Sequence, residues 1–129
     1  MSRMLLLMLA LCSACARAED IAGKNLYMKT CSACHQADGM GVPDAFPALV
    51  GNTLVQGEAK VLIAVPLLGR GGMPNFSKRL DDASLAAILN YVRTAWGNTG
   101  SAIGAQDVAA LRADLHADNL DSTPINSQH

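Results

Sequence analysis

No stretch of this sequence holds the roughly twenty consecutive apolar residues that a bilayer-spanning helix needs. The longest such run, the eight residues Met4 to Leu11, is far too short to cross. Basic clusters are missing as well. Ten Lys and Arg are scattered among eleven Asp and Glu, for a formal net charge of −1, so nucleic-acid binding has no electrostatic footprint here. Nothing supplies a strand-then-helix βαβ setting, and no second ligand pair stands at zinc-finger or zinc-ribbon spacing. These absences remove the two usual rivals for a pair of closely spaced cysteines: a thioredoxin-like redox dithiol and a structural zinc site.

What is present is Cys31-Ser32-Ala33-Cys34-His35. Two thiols three apart followed directly by an imidazole form the attachment site of a c-type haem. Each thiol can add across a porphyrin vinyl group, which would hold one haem c covalently through Cys31 and Cys34 and present His35 to one face of the iron. Cys12 and Cys15 repeat the spacing, but Ala16 follows them and they are no second site.

Those two cysteines lie in a leader. Arg3 gives a short positive segment, Met4 to Leu11 an apolar one, and Ala16-Arg17-Ala18 a small-residue cleavage signal. Residues 1–18 are read as a signal peptide, with export to the periplasm. The alternative makes Cys15 the lipidated first residue of a lipoprotein, although Cys12 sits where such signals favour leucine. Residues 19–98 are read as a single haem-binding domain of one-domain length. Residues 99–129 are an extension with a short helix and a mobile tail.

Along the mature chain, Asp20 to Thr30 reads as a first helix that delivers the chain into Cys31. Gly23 and Tyr27, four apart, would share the side on which another helix can cross closely. From Gln36 to Asn52, Gly39, Gly41, Pro43, Pro47 and Gly51 break any regular element. This stretch is expected to be a long ordered loop lining the haem with Val42, Phe46, Leu49 and Val50. A metal-bound histidine almost always donates its other N–H to an acceptor, and the Pro47 carbonyl is the candidate. Glu58 to Leu68 predicts a second helix, with a kink or early end near Val65 because Pro66 cannot donate. Asp81 as N-cap opens the clearest helix, running through Trp96 to a closing Gly97, with Leu85, Ile88, Leu89 and Val92 on its apolar stripe. Gln106 to Leu115 predicts a short last helix. Ala117 to His129 has too few apolar residues to order itself, and His116 and His129 are read as solvated.

Three methionines can supply a second iron ligand. Met28 and Met40 lie close in sequence to His35, whereas Met73 follows it by 38 residues within Gly-Gly-Met-Pro-Asn-Phe. That distance lets the chain pass around the porphyrin edge, so Met73 is the candidate. Core filler is the ordinary role of a methionine, but little apolar sequence flanks this one. Ligation by His35 and Met73 would raise the reduction potential and leave no open iron position, which confines the chemistry to one-electron transfer.

From about Ile21 to Asn98 the chain resembles the class I c-type cytochromes. The resemblance rests on Gly23 and Tyr27 before Cys-Ser-Ala-Cys-His, on Phe46-Pro47, on Met73-Pro74 and on Tyr91. It implies an all-α class I cytochrome c fold, three to five helices and long loops around one covalent haem. It also implies that Pro47 accepts from His35, that Met73 is the distal ligand, and that Tyr91 packs against the first helix. Gly-Gly-Met-Pro-Asn-Phe, Leu80-Asp81-Asp82 and Tyr-Val-Arg-Thr-Ala-Trp-Gly-Asn are similar to the haem domains of cytochrome subunits of periplasmic quinoprotein dehydrogenases. Such subunits carry several haems and an anchor, and in them the helix before the glycines runs on without a proline.

The leading expectation is a monomeric periplasmic electron carrier, not an enzyme, docking transiently on dehydrogenase, reductase or oxidase partners. A dedicated haem subunit of one dehydrogenase or reductase is the alternative. A third reading has Met73 dissociate to open the iron for peroxidase-like or sensor chemistry.

Overall fold

The computed structural model describes residues 20–121; the leader with Cys12 and Cys15, and the end of the tail with His129, lie outside them. Helix α1 occupies 20–30, and Cys31 leads into α2, Ser32–His35. A loop then reaches the short α3, Thr53–Gln56, followed by α4, Ala59–Leu68. A second loop leads to α5, Asp82–Thr94, a 3-10 turn at Ala95–Gly97 and α6, Ala105–Asp121. Among the described residues extended pairing is limited to two isolated bridges, Val42 with Phe46 and Arg70 with Met73.

α1 crosses α5 at Gly23. A Cβ there would lie 2.3 Å from the carbonyl oxygen of Ala87 and 3.1 Å from Cβ of Tyr91, so only glycine permits this approach. One turn later Tyr27, fully buried, packs its ring 5.4 Å from that of Tyr91 and 5.4 Å from that of Trp96. Trp96 and Tyr91 close the triad at 5.5 Å in an edge-to-face arrangement. α5 packs on α6, and its buried Leu85, Ile88, Leu89 and Val92 share one core with Val108 and Leu111 of α6 and, across α6, with Ile63 and Leu67 of α4. At its C-terminal end the buried Arg93 donates from Nη2 to Gly57 O at 3.0 Å, tying α5 to the start of α4.

Several boundaries differ from the sequence expectation. α4 does not end near Val65; it runs through Pro66 to Leu68. Pro66 and Leu67 are buried there, and burial of that size offsets a lost helical hydrogen bond. The carbonyls left over at the helix end find partners: Gly69 N donates to Val65 O at 2.8 Å and Phe76 N to Pro66 O at 2.8 Å. α5 stops at Thr94 and not at Trp96, which adopts a left-handed φ of 56°. That reversal swings the indole off the helix stripe and into the aromatic triad. α3 falls outside the expected elements; Asn52 caps it, its side chain accepting from Leu54 N and Val55 N. α6 continues as helix to Asp121, beyond the Leu115 expected, as helix-favouring Ala and Leu residues allow.

Candidate functional site

The Cys31 to His35 segment is one helical turn hung from the end of α1. Cys31 N donates to Tyr27 O at 2.8 Å and His35 N to Cys31 O at 3.0 Å. The two thiols, three residues apart, therefore sit on adjacent steps of one turn with the imidazole beside the second. Gln36, at a left-handed φ of 66°, ends the turn, and its carbonyl accepts the Tyr27 hydroxyl at 2.6 Å. Burial, with smaller effects from Cys31, Tyr91 and Asp38, pushes the Tyr27 hydroxyl well above its ordinary pKa and keeps it a donor.

The loop after His35 curls back on itself. Gly41 N donates to His35 O at 2.9 Å, Leu49 N to Gly39 O at 2.7 Å, and Val42 and Phe46 exchange bonds of 2.9 and 2.8 Å. Gly41 must be glycine: its φ is 63°, and a Cβ would stand 2.3 Å from Phe46 O. Gly39, at φ 71°, lies so close to the Trp96 ring that a Cβ would come within 2.6 Å. This curl brings Pro47 O to 2.9 Å from His35 Nδ1. A carbonyl can only accept, so Nδ1 is the donor here, which leaves Nε2 as the nitrogen not engaged by Pro47. Asn98, buried, braces the far end of the loop by donating to Leu49 O and Val92 O and accepting from Gly51 N. In the sequence Asn98 stands only as the last residue of the Tyr-Val-Arg-Thr-Ala-Trp-Gly-Asn stretch, after the helix-closing Gly97, and nothing local announces that its side chain spans to Leu49 and Gly51.

Met73, the other candidate ligand, lies on a separate loop. Its backbone is bridged to Arg70, with Met73 N donating to Arg70 O at 2.9 Å and Arg70 N to Met73 O at 3.2 Å. Gly69, at φ 77°, permits this turn, since a Cβ would press on Met73 O at 2.9 Å. Met73 is half-buried, whereas Met28 and Met40 are 42% and 58% exposed.

These residues fit a haem. Cys31 and Cys34 are free thiols, so both can form thioethers. Burial and the neighbouring Cys34 push the Cys31 thiol up to about 11, the reverse of the lowered value that marks a redox-active dithiol. Val42 and Phe46, expected to line the cofactor, are 37% and 40% exposed. With Met40, Asp44 and Pro47 they border a concavity of about 420 Å³, whose lining does not include Cys31, Cys34, His35 or Met73.

Comparison with known proteins gives the same picture. Residues 18–92 match the family described as cytochrome c oxidase, cbb3-type, subunit III. Cytochrome c-552 of Thermus thermophilus is 35% identical over 112 residues, covering 70% of this chain and 84% of that protein. The cytochrome c subunit of alcohol dehydrogenase (quinone) from Gluconacetobacter polyoxogenes is 35% identical over 107 residues, 72% of this chain and 23% of that subunit. The gluconate 2-dehydrogenase cytochrome c subunit of Pantoea cypripedii is 30% identical over 124 residues, 82% of this chain and 28% of that subunit. The chain thus spans about a quarter of the length of these dehydrogenase subunits. What they share with it is a cytochrome c domain. Helices and long loops around the Cys31 to His35 turn make the small class I fold, and the chain belongs to the c-type cytochromes, in the family described as cytochrome c oxidase, cbb3-type, subunit III.

Proposed function

We propose that this chain carries single electrons between redox proteins outside the cytoplasm, through one haem c attached at Cys31 and Cys34 and ligated by His35 and Met73. When bound, haem c supplies the one-electron couple. The chain's own residues orient and enclose it. Pro47 O holds the proton of His35 on Nδ1 and fixes the ring plane, leaving Nε2 for the iron. The Tyr27 hydroxyl, through Gln36 O, keeps the turn that carries His35 from unwinding. Val42 and Phe46 exclude water from one rim. The observation that carries this reading is the 2.9 Å contact between His35 Nδ1 and Pro47 O beside two unpaired thiols.

The test is Met73→Ala in the haem-loaded ferric protein. The weak far-red thioether-to-iron band should vanish and the potential should fall; an unchanged spectrum would refute Met73 as ligand. The reading as a free carrier draws on cytochrome c-552, which the chain nearly spans; a permanent subunit of a dehydrogenase draws on the alcohol and gluconate dehydrogenase subunits. Export is supported by the Arg3 to Ala18 leader pattern. Among the described residues no helix is long and apolar enough to cross a membrane. Size exclusion of natively expressed protein separates the two: elution as a small monomer supports the carrier, and co-elution with a large enzyme supports the subunit.

A further inference from the structure

The loop that carries Met73 is held from outside its own neighbourhood. Beyond Phe76, which is buried and bonded to Pro66 O, the backbone turns through Arg79 N and Leu80 N, both donating to Phe76 O. The outward-facing carbonyls of this turn are taken by one side chain of α6. Arg112 donates from Nη1 to Ser77 O, from Nη2 to Leu80 O at 2.9 Å, and from Nε to Asp82 Oδ1 at 2.8 Å. Its side chain is only 19% exposed. A planar guanidinium with donors on all three nitrogens can span two carbonyls and a carboxylate at once, which a lysine cannot.

The anchor behind this clamp is firm. α6 is docked through Val108 and Leu111 in the core. The segment before it is fixed by Asn90, which donates to Ile103 O at 2.8 Å and accepts from Ile103 N at 2.7 Å. Arg112 is thus a strut from a packed helix to the second half of the loop, whose first half presents Met73.

We propose that Arg112 is a positioning residue for the axial ligand: it restrains the 73–80 loop and so governs how readily Met73 leaves the iron. This rests on the reading of Met73 as ligand. Loss of the charge-assisted bonds should let the loop open more often without unfolding the domain.

The experiment uses full-length, haem-loaded ferric protein and free imidazole as a competing ligand, followed by absorbance. Arg112→Gln should bind imidazole about tenfold faster than wild type, the change expected from losing charged hydrogen bonds to loop carbonyls. Arg112→Lys and Asp82→Asn should give smaller accelerations, and they serve if Arg112→Gln does not fold. Asp114→Asn, which removes α6's exposed 3.8 Å pair with Lys60, should bind at the wild-type rate. Hydrogen exchange at Phe76, Arg79 and Leu80 should quicken in Arg112→Gln while Leu89 and Val92 stay protected, a local effect that general destabilisation would not give. Wild-type imidazole rates and exchange in the Arg112 variants, beside a Met73→Ala that binds freely, overturn this inference alone. A Met73→Ala indistinguishable from wild type overturns the ligand reading and this inference with it.

Discussion

The two loops that carry the candidate iron ligands are fastened differently at the ligand itself. On the His35 side the bonds around the imidazole are local, Tyr27 to Gln36, Gly41 to His35, Leu49 to Gly39 and His35 to Pro47 all closing within a dozen residues, and only the far end of the loop is braced from a distance, by Asn98. On the Met73 side the bridge to Arg70, the bond from Phe76 to Pro66 and the turn at Phe76 are local too, but the carbonyls of Ser77 and Leu80 and the carboxylate of Asp82 are gathered by Arg112, thirty or more residues further on. Local closure costs little loop entropy and can form early, whereas the distal hold waits for α6 to dock. The difference leaves one candidate ligand, His35, fixed by a small local frame and the other, Met73, on a loop whose second half is tied to a distant helix.

The sharpest way to break this contrast is to disturb the frame at its root. Gly23→Ala puts a methyl 2.3 Å from Ala87 O, and the backbone of α1 must retreat from α5. The expected cost is about 3 kcal/mol, read as a lowered denaturant midpoint. A loss below about 1 kcal/mol would mean that the α1–α5 crossing yields easily, and the proximal side would not be the rigid one.

Less severe is removal of one hydroxyl. Tyr27→Phe keeps the ring in its triad but leaves the Gln36 carbonyl without its buried donor, for an expected loss of about 1 to 2 kcal/mol. The variant also carries a pH signature. Burial raises the folded-state pKa of Tyr27, so its contribution is complete below the unfolded value of about 10 and is lost as pH rises above it. The stability difference between wild type and Tyr27→Phe should therefore shrink above about pH 10. A difference that stays constant there would mean that Tyr27 ionises as easily in the fold as outside it.

The same contrast explains what could be read from sequence. Gly23 and Tyr27, the haem-attachment turn, the breaker-rich loop and the Asp81 cap all announce themselves within a few residues, because local chemistry dictates local geometry. Trp96 does not. The three-and-four repeat of α5 continues through it, and only the pocket formed by Tyr27, Tyr91 and Gly39 explains why its backbone reverses. α3 is four residues long, too short to show a period, though Asn52 before Thr53 was a usable cap signal. Pro66 misled because a breaker near the end of a helix loses only one bond when the residues around it are buried. Arg112 left no trace at all, since two of its three acceptors are backbone carbonyls, which every residue possesses.

Asp81 stands where the distal loop becomes α5 and offers the gentlest probe of that junction. Its carboxylate accepts from Ser84 N at 2.7 Å. Hydrogen bonds from Ser84, first its backbone and then its side chain, with a lesser pull from Arg112, hold its pKa below the ordinary carboxylate value. A lowered folded-state pKa means stability that is present above the unfolded value and is lost as pH falls through the folded one. Asn caps a helix nearly as well as Asp but does not titrate in this range. Asp81→Asn should therefore differ little from wild type in urea midpoint near neutrality and lose less on acidification below about pH 4. If the two proteins instead lose stability in parallel, the acid sensitivity of this end lies elsewhere.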